Sequence, residues 1–158
     1  MRLMDLLCEE LIEPTLAAAG RDAVIAELVD LLVDRSAIPP AAREDVLRAV
    51  LAREESMTTG LGGGVAVPHA LCEHVEEVVG ALGIHAEGVA WEALDDQPVR
   101  LVLLLLVPPG RFQAHIRTLA GVARVMNDPA LRRLLFEASD ARTVMDILEE
   151  REEAAAGF

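Results

Sequence analysis

A three-layer α/β/α sandwich, with helices on both faces of a mixed β-sheet, is the fold this sequence predicts. Three observations carry that prediction. Residues 99–107 are almost uninterrupted aliphatic (Val-Arg-Leu-Val-Leu-Leu-Leu-Leu-Val), the pattern of a strand buried on both faces. Two stretches before it and three after it repeat apolar residues at helical spacing. Shorter extended stretches lie between them, so the order reads β-αα-βββ-ααα.

Taken from the N-terminus, Leu6-Leu7 and Leu11-Ile12 suggest a short helical turn and then a strand ending near Thr15-Leu16. Gly20 punctuates the chain. Val24, Ile25, Leu28, Leu31 and Leu32 form the apolar stripe of a helix over residues 22–34. Pro39-Pro40 separates it from the next, with Pro40 suited to a first helical turn. Val46, Leu47, Val50 and Leu51 mark a second helix ending near Glu54. Residues 78–84 and 89–91 read as strands, and Asp95-Asp96-Gln97-Pro98 as a turn. After the long strand, Pro108-Pro109-Gly110 closes it, and a third helix spans about 111–126 with Phe112, Ile116, Leu119, Ala123 and Met126 as its core stripe. Asp128 caps a fourth helix over about 129–138. Ser139 or Asp140 starts a fifth through Val144, Ile147 and Leu148. The segment 149–158 is charged, then Ala/Gly-rich, and is expected to fray.

The 158 residues are expected to form one domain, 1–158, with an aliphatic core, since 53% are hydrophobic but only 3% aromatic. The longest uncharged apolar run, Leu101–Val107, is too short to span a bilayer. No basic start followed by an apolar segment marks a signal peptide, so a cytoplasmic location is expected. A net charge of −13 argues against nucleic acid and against an anionic membrane surface as partners. Cys8 and Cys72 form no metal or redox spacing and are expected to be free thiols.

The stretch with the most chemistry is Thr58-Thr59-Gly60-Leu61-Gly62-Gly63-Gly64-Val65-Ala66-Val67-Pro68-His69-Ala70. Its glycines allow positive φ and close approach of backbone N–H groups to an anion. Pro68 fixes the backbone before His69 and restricts Val67 to an extended conformation. No Gly-Lys-[Ser/Thr] follows the glycines, and their spacing misses the dinucleotide pattern. Two readings remain from residue types alone. One is a turn feeding a buried strand that ends in a satisfied histidine. The other is a loop holding a phosphoryl group beside a nucleophilic imidazole.

The segment Thr59-Gly60-x-Gly62-x-Gly64-Val65-Ala66-Val67-Pro68-His69 resembles the active-site motif of enzyme IIA of the bacterial phosphoenolpyruvate-dependent phosphotransferase system. The resemblance is to the fructose/mannitol type, which includes stand-alone nitrogen-regulatory members, and it covers roughly residues 3–150. Ala70 departs from it, standing where many members have Gly. The resemblance implies that His69 accepts a phosphoryl group from phosphohistidine on the carrier HPr. It implies the same sandwich fold, no metal and no cofactor.

Two further residues coincide with that pattern. Arg53 heads an Arg-Glu pair before the Thr-Gly loop. Without the resemblance it reads as a helix-end cation facing the dipole or pairing with Glu54 or Glu55. With it, Arg53 becomes a guanidinium holding phosphoryl oxygens. His115, in His115-Ile116-Arg117-Thr118-Leu119-Ala120, becomes a hydrogen-bond donor to the phosphoryl group rather than its acceptor. The N–H groups of Gly62, Gly63 and Gly64 and the Thr59 hydroxyl are expected as further donors. The other ring nitrogen of His69 is expected to donate to a backbone carbonyl, fixing the tautomer.

The partners implied are HPr and either a sugar-permease IIB domain or a regulatory target. A competing reading is a binding module of the same fold that works through protein contacts with no covalent step. A metal site from His69, Cys72 and His74 matches no common ligand spacing. A hydrolase using Ser56 or Cys72 lacks a nucleophile elbow. His74 and His85 are expected in loop and strand-end positions.

Overall fold

The computed structural model describes residues 2–93 and 95–156. Its axis is β6, Val99–Val107, in which every residue but Arg100 is buried. Strand side chains alternate between faces. Val99, Val102, Leu104 and Leu106 enter one core cluster, and Leu101, Leu103 and Leu105 enter the other. Each of these leucines is fully buried, which stabilises the fold by roughly 1.5–3 kcal/mol per side chain.

The first cluster is covered by α1, Arg21–Asp34, through Val24, Ile25, Leu28 and Leu32, and by α2, Arg43–Ser56, through Val46 and Val50. The second is covered by α3, Phe112–Met126, α4, Pro129–Glu137, and α5, Ala141–Ala156. Their buried contributions include Val122, Met126, Leu131, Leu135, Val144 and Leu148. The sandwich predicted from the aliphatic run is therefore the observed architecture. Phe112, expected in the α3 stripe, has a side chain outside the described residues. Asp128 caps α4, accepting from the N–H groups of Ala130 at 3.0 Å and Leu131 at 3.4 Å. Asp140 accepts from Thr143 N–H at 2.7 Å at the head of α5.

The sheet is mixed. β5, Val79–Val89, runs antiparallel to β6, and β1, Ile12–Glu13, pairs parallel with β5. On the other side of β6 lie β3, Val65–Ala66, and β4, His69–Leu71, both parallel to it. β2, Gly60–Gly62, pairs antiparallel with β3. Val67 and Pro68 separate β3 from β4 because proline has no N–H for a ladder. The Pro68 carbonyl still accepts from Leu105 N–H at 3.0 Å.

The strand details differ from expectation in three places. Residues 60–71 supply three short strands, β3 and β4 against β6 and β2 outside β3. The segments 78–84 and 89–91 merge into one strand, irregular between Ile84 and Val89, with Trp91 just beyond it. The irregularity is held by His85, whose Nδ1 accepts from Gly88 N–H at 3.0 Å while Nε2–H donates to the Ala18 carbonyl at 3.0 Å. The first strand covers only Ile12–Glu13, although Leu16 N–H still reaches the Ile84 carbonyl at 2.9 Å.

The segment expected to fray from 149 onward lies within a helix as far as residue 156. α5 continues to Ala156, because its Glu, Arg and Ala run is intrinsically helix-forming. Residues 157 and 158 of that expected tail lie outside the described residues. Among the described residues no helix is long and apolar enough to cross a membrane.

Candidate functional site

His69 opens β4 and is registered with Leu105 of β6. The alternation that sends Ala70 toward the α1/α2 layer sends His69 toward α3. His115 sits there in the first turn of α3. The two imidazole centroids are 5.3 Å apart, with the rings tilted by 53°. Arg53, in the last turn of α2, is half-buried and close enough for its charge to press on both rings. The structure thus brings His69, His115 and Arg53, separated by up to 62 residues in the chain, to one place.

His69 is 9% exposed. Its Nδ1 lies 2.9 Å from the carbonyl of Val67, so Nδ1 carries the proton and donates it. That leaves the lone pair on Nε2, and no hydrogen bond to Nε2 is found among the described residues. Burial lowers the pKa of His69 below 6.5, and the charges of Arg53 and His115 lower it further against the opposing Val67 hydrogen bond and Glu54. Burial and then Arg53 lower His115 likewise. Both rings are therefore neutral at pH 7, the form in which an imidazole nitrogen is nucleophilic. His115 Nδ1 is buried with no partner among the described residues. A bare acceptor is the cheaper state for an orphaned buried nitrogen, which places the proton on Nε2.

Arg53 Nη1 donates to the carbonyl of Met57 at 2.8 Å. It pairs with neither Glu54 nor Glu55. Arg53 and Glu54 are consecutive on a helix and so point about 100° apart. Glu54 turns inward and is 2% exposed, a position that sequence reasoning missed. Its carboxylate accepts from Thr59 N–H at 2.9 Å, from the indole Nε1–H of Trp91 at 2.8 Å, from the Thr58 hydroxyl at 3.4 Å and from the Thr59 hydroxyl. The Thr59 proton is thus committed to Glu54, which corrects its expected role as a phosphoryl donor.

The glycines are also placed elsewhere. Val65 is level with Leu101 and His69 with Leu105, a separation of about 13 Å along the strand. The Gly62–Gly64 turn lies beyond Val65, at the far end. Its φ values of 85°, 65° and 82° require glycine. Gly63 N–H is taken by the Asp95 carboxylate at 2.9 Å, which with Gln97 N–H holds the Asp95 pKa down. A methyl group at Gly63 would fall 2.7 Å from Arg132 Cζ, and one at Gly64 3.0 Å from the Phe136 ring. The turn is bare because α4 packs on it, and it does not reach His69. Sequence alone offered a clue: Pro68 makes the intervening residues extended, and extended residues cover distance.

His74 is exposed and Cys72 is a buried free thiol held by the backbone of His74 and Val75, both beside a cavity of about 390 Å³ between α2 and β4. Three large apolar side chains near the site residues in sequence are exposed. Met57 is 69%, Leu71 59% and Ile116 51% exposed, and each adjoins or nearly adjoins a site residue in sequence.

With this geometry in hand, the family described as "Phosphoenolpyruvate-dependent sugar phosphotransferase system, EIIA 2" matches residues 5–151. The chain is 35% identical over 141 residues to a fructose-specific EIIA component of Haloferax volcanii, spanning 89% of this chain and 90% of that one. It is 31% identical over 148 residues to a nitrogen regulatory protein of Bradyrhizobium diazoefficiens, spanning 94% and 95%. Among solved structures, the nitrogen regulatory protein IIA-Ntr of Neisseria meningitidis superposes with a TM-score of 0.83 at 30% identity, over 92% of this chain and 98% of that one.

Proposed function

The chain belongs to the EIIA 2 family of the phosphoenolpyruvate-dependent sugar phosphotransferase system, and from that premise we propose that Nε2 of His69 is the atom that carries the phosphoryl group. The protein is a phosphocarrier of sugar transport or nitrogen regulation. The observation that carries the assignment to His69 is its ring geometry: Nδ1–H is tied to Val67, and Nε2 is left as a free lone pair.

The donor is an HPr-like phosphohistidine protein. The His69 Nε2 lone pair attacks phosphorus in line, the carrier's P–N bond breaks, and that electron pair returns to the carrier's imidazole. The ring proton stays on Nδ1, shared with the Val67 carbonyl. Charge on the three equatorial oxygens is met by the Arg53 guanidinium, by His115 Nε2–H and by the N-terminal end of α3. Positioning and electrostatics suffice, because one nitrogen–phosphorus bond replaces another. The exposed Met57, Leu71 and Ile116 suit a partner that seals the site from water. The phosphoryl group then passes to a IIB domain or marks the state read by a regulatory target. The whole chain acts as one phosphoryl-carrying domain in the cytoplasm.

The test is incubation with phosphoenolpyruvate, enzyme I and HPr, read by intact mass. One added phosphoryl group is expected on wild type, none on His69→Ala, and slower addition on His115→Ala. Acid-labile phosphate on a folded His69→Ala protein would overturn the assignment.

A further inference from the structure

Glu54 is a buried carboxylate whose hydrogen-bond partners among the described residues are neutral donors: two hydroxyls, a peptide N–H and an indole N–H. Burying a carboxyl group behind neutral donors is costly, and such groups concentrate where function needs them. The donors explain why the residue is an acid. Every group pointing at it is an N–H or O–H, so an acceptor-only head fits, and an amide would turn its own NH2 against donors.

Two hydrogen-bonded branches leave the segment that Glu54 fixes. In one, the Thr59 carbonyl accepts from Val67 N–H at 3.1 Å, and the Val67 carbonyl accepts from His69 Nδ1–H at 2.9 Å. In the other, Met57, next to the anchored Thr58, presents its carbonyl to Arg53 Nη1 at 2.8 Å. The nucleophile and its cation are thus both aligned from peptides that the same carboxylate holds.

We propose that Glu54 is the positioning residue of this site, fixing residues 57–59 so that the Val67 carbonyl selects the His69 tautomer and the Met57 carbonyl aims Arg53. Its effect on turnover rests on His69 being the phosphoryl acceptor; its effect on the ring does not. Glu54 never touches the phosphoryl group. A glutamine in its place leaves the core filled but loosens both branches at once.

The experiment combines nitrogen-15 NMR of the His69 ring with steady-state phosphoryl transfer from phospho-HPr, on wild type, Glu54→Gln and Thr59→Val. Wild type should show the Nδ1–H tautomer dominant. In Glu54→Gln the tautomers should mix, with kcat down about tenfold or more and KM for the carrier within about twofold. Thr59→Val, which deletes one hydroxyl from the anchor and keeps the shape, should move both readouts the same way by less. A folded Glu54→Gln protein with the wild-type tautomer ratio and kcat overturns the proposal, as does a loss confined to thermal stability. If Glu54→Gln does not fold, unchanged tautomer and kcat in Thr59→Val overturn it. Wild type that takes no phosphoryl group defeats the assignment of His69, while the tautomer readout still decides the role of Glu54.

Discussion

Residues 63–71 run along β6 from the glycine turn to the end of β4, and the two ends of that stretch are built on opposite plans. The glycine end is closed. Gly63 N–H is held by Asp95, the Gly64 carbonyl takes the N–H groups of Arg100 at 2.8 Å and Leu101 at 2.9 Å, and Arg132 and Phe136 lie on top. The histidine end is left open. Among the described residues, one ring nitrogen of His69 is tied down, the other has no hydrogen-bond partner, and Arg53 stands beside it with no carboxylate partner. A motif that reads as one unit in sequence is two devices in space. The glycines let a helix pack, and the histidine does chemistry.

Arg53→Ala gives the sharpest measure of that division. It should slow transfer to His69 about 10²–10³-fold in single-turnover measurements, the usual loss when one preorganised charge donor is removed. Its melting temperature should hardly move, since the visible bond of Arg53 is to one exposed carbonyl. A loss under about threefold would put the open end's electrostatics in the wrong place.

Gly63→Ala should behave oppositely. Forcing a side chain into positive φ costs about 1–2 kcal/mol, read as a lower urea midpoint, with Arg132 swinging aside. The single-turnover rate at His69 should stay at the wild-type value. A slowed transfer with intact stability would bring the turn into the phosphoryl site and collapse the comparison.

The smallest effect is in pH. The folded pKa values of His69 and His115 lie below their ordinary 6.5. Between the folded and unfolded values the unfolded chain binds more protons, so stability rises with pH and is lost as pH falls through that window. His69→Gln should flatten the slope of the urea midpoint as pH falls below the ordinary histidine value, whereas Gly63→Ala should lower the curve without changing its slope. An unchanged slope in His69→Gln would mean that burial does not hold that ring neutral.

Much of the fold was legible because it rests on local pattern. The uninterrupted run of β6 announced helices on both faces, and Asp128 before Pro129 announced a cap. Pro68-His69 was legible as a fixed presentation of one imidazole. What escaped depended on register and direction. Nothing local says that residues 60–66 fold back as a hairpin, so the glycines and the histidine were taken as neighbours. Glu54 was read as a surface partner for Arg53 because adjacency in sequence hides the turn of the helix between them. The helix over 149–156 escaped because an exposed charged run has the composition of a tail and the propensity of a helix.

One consequence follows from the indole that leans on Glu54. Trp91 is the sole tryptophan, it is 5% exposed, and it absorbs where nothing else in this tyrosine-free chain does. Its emission is a native optical gauge of the buried anchor, needing no dye and no label, so a loosened Glu54 can be followed by light in a cuvette.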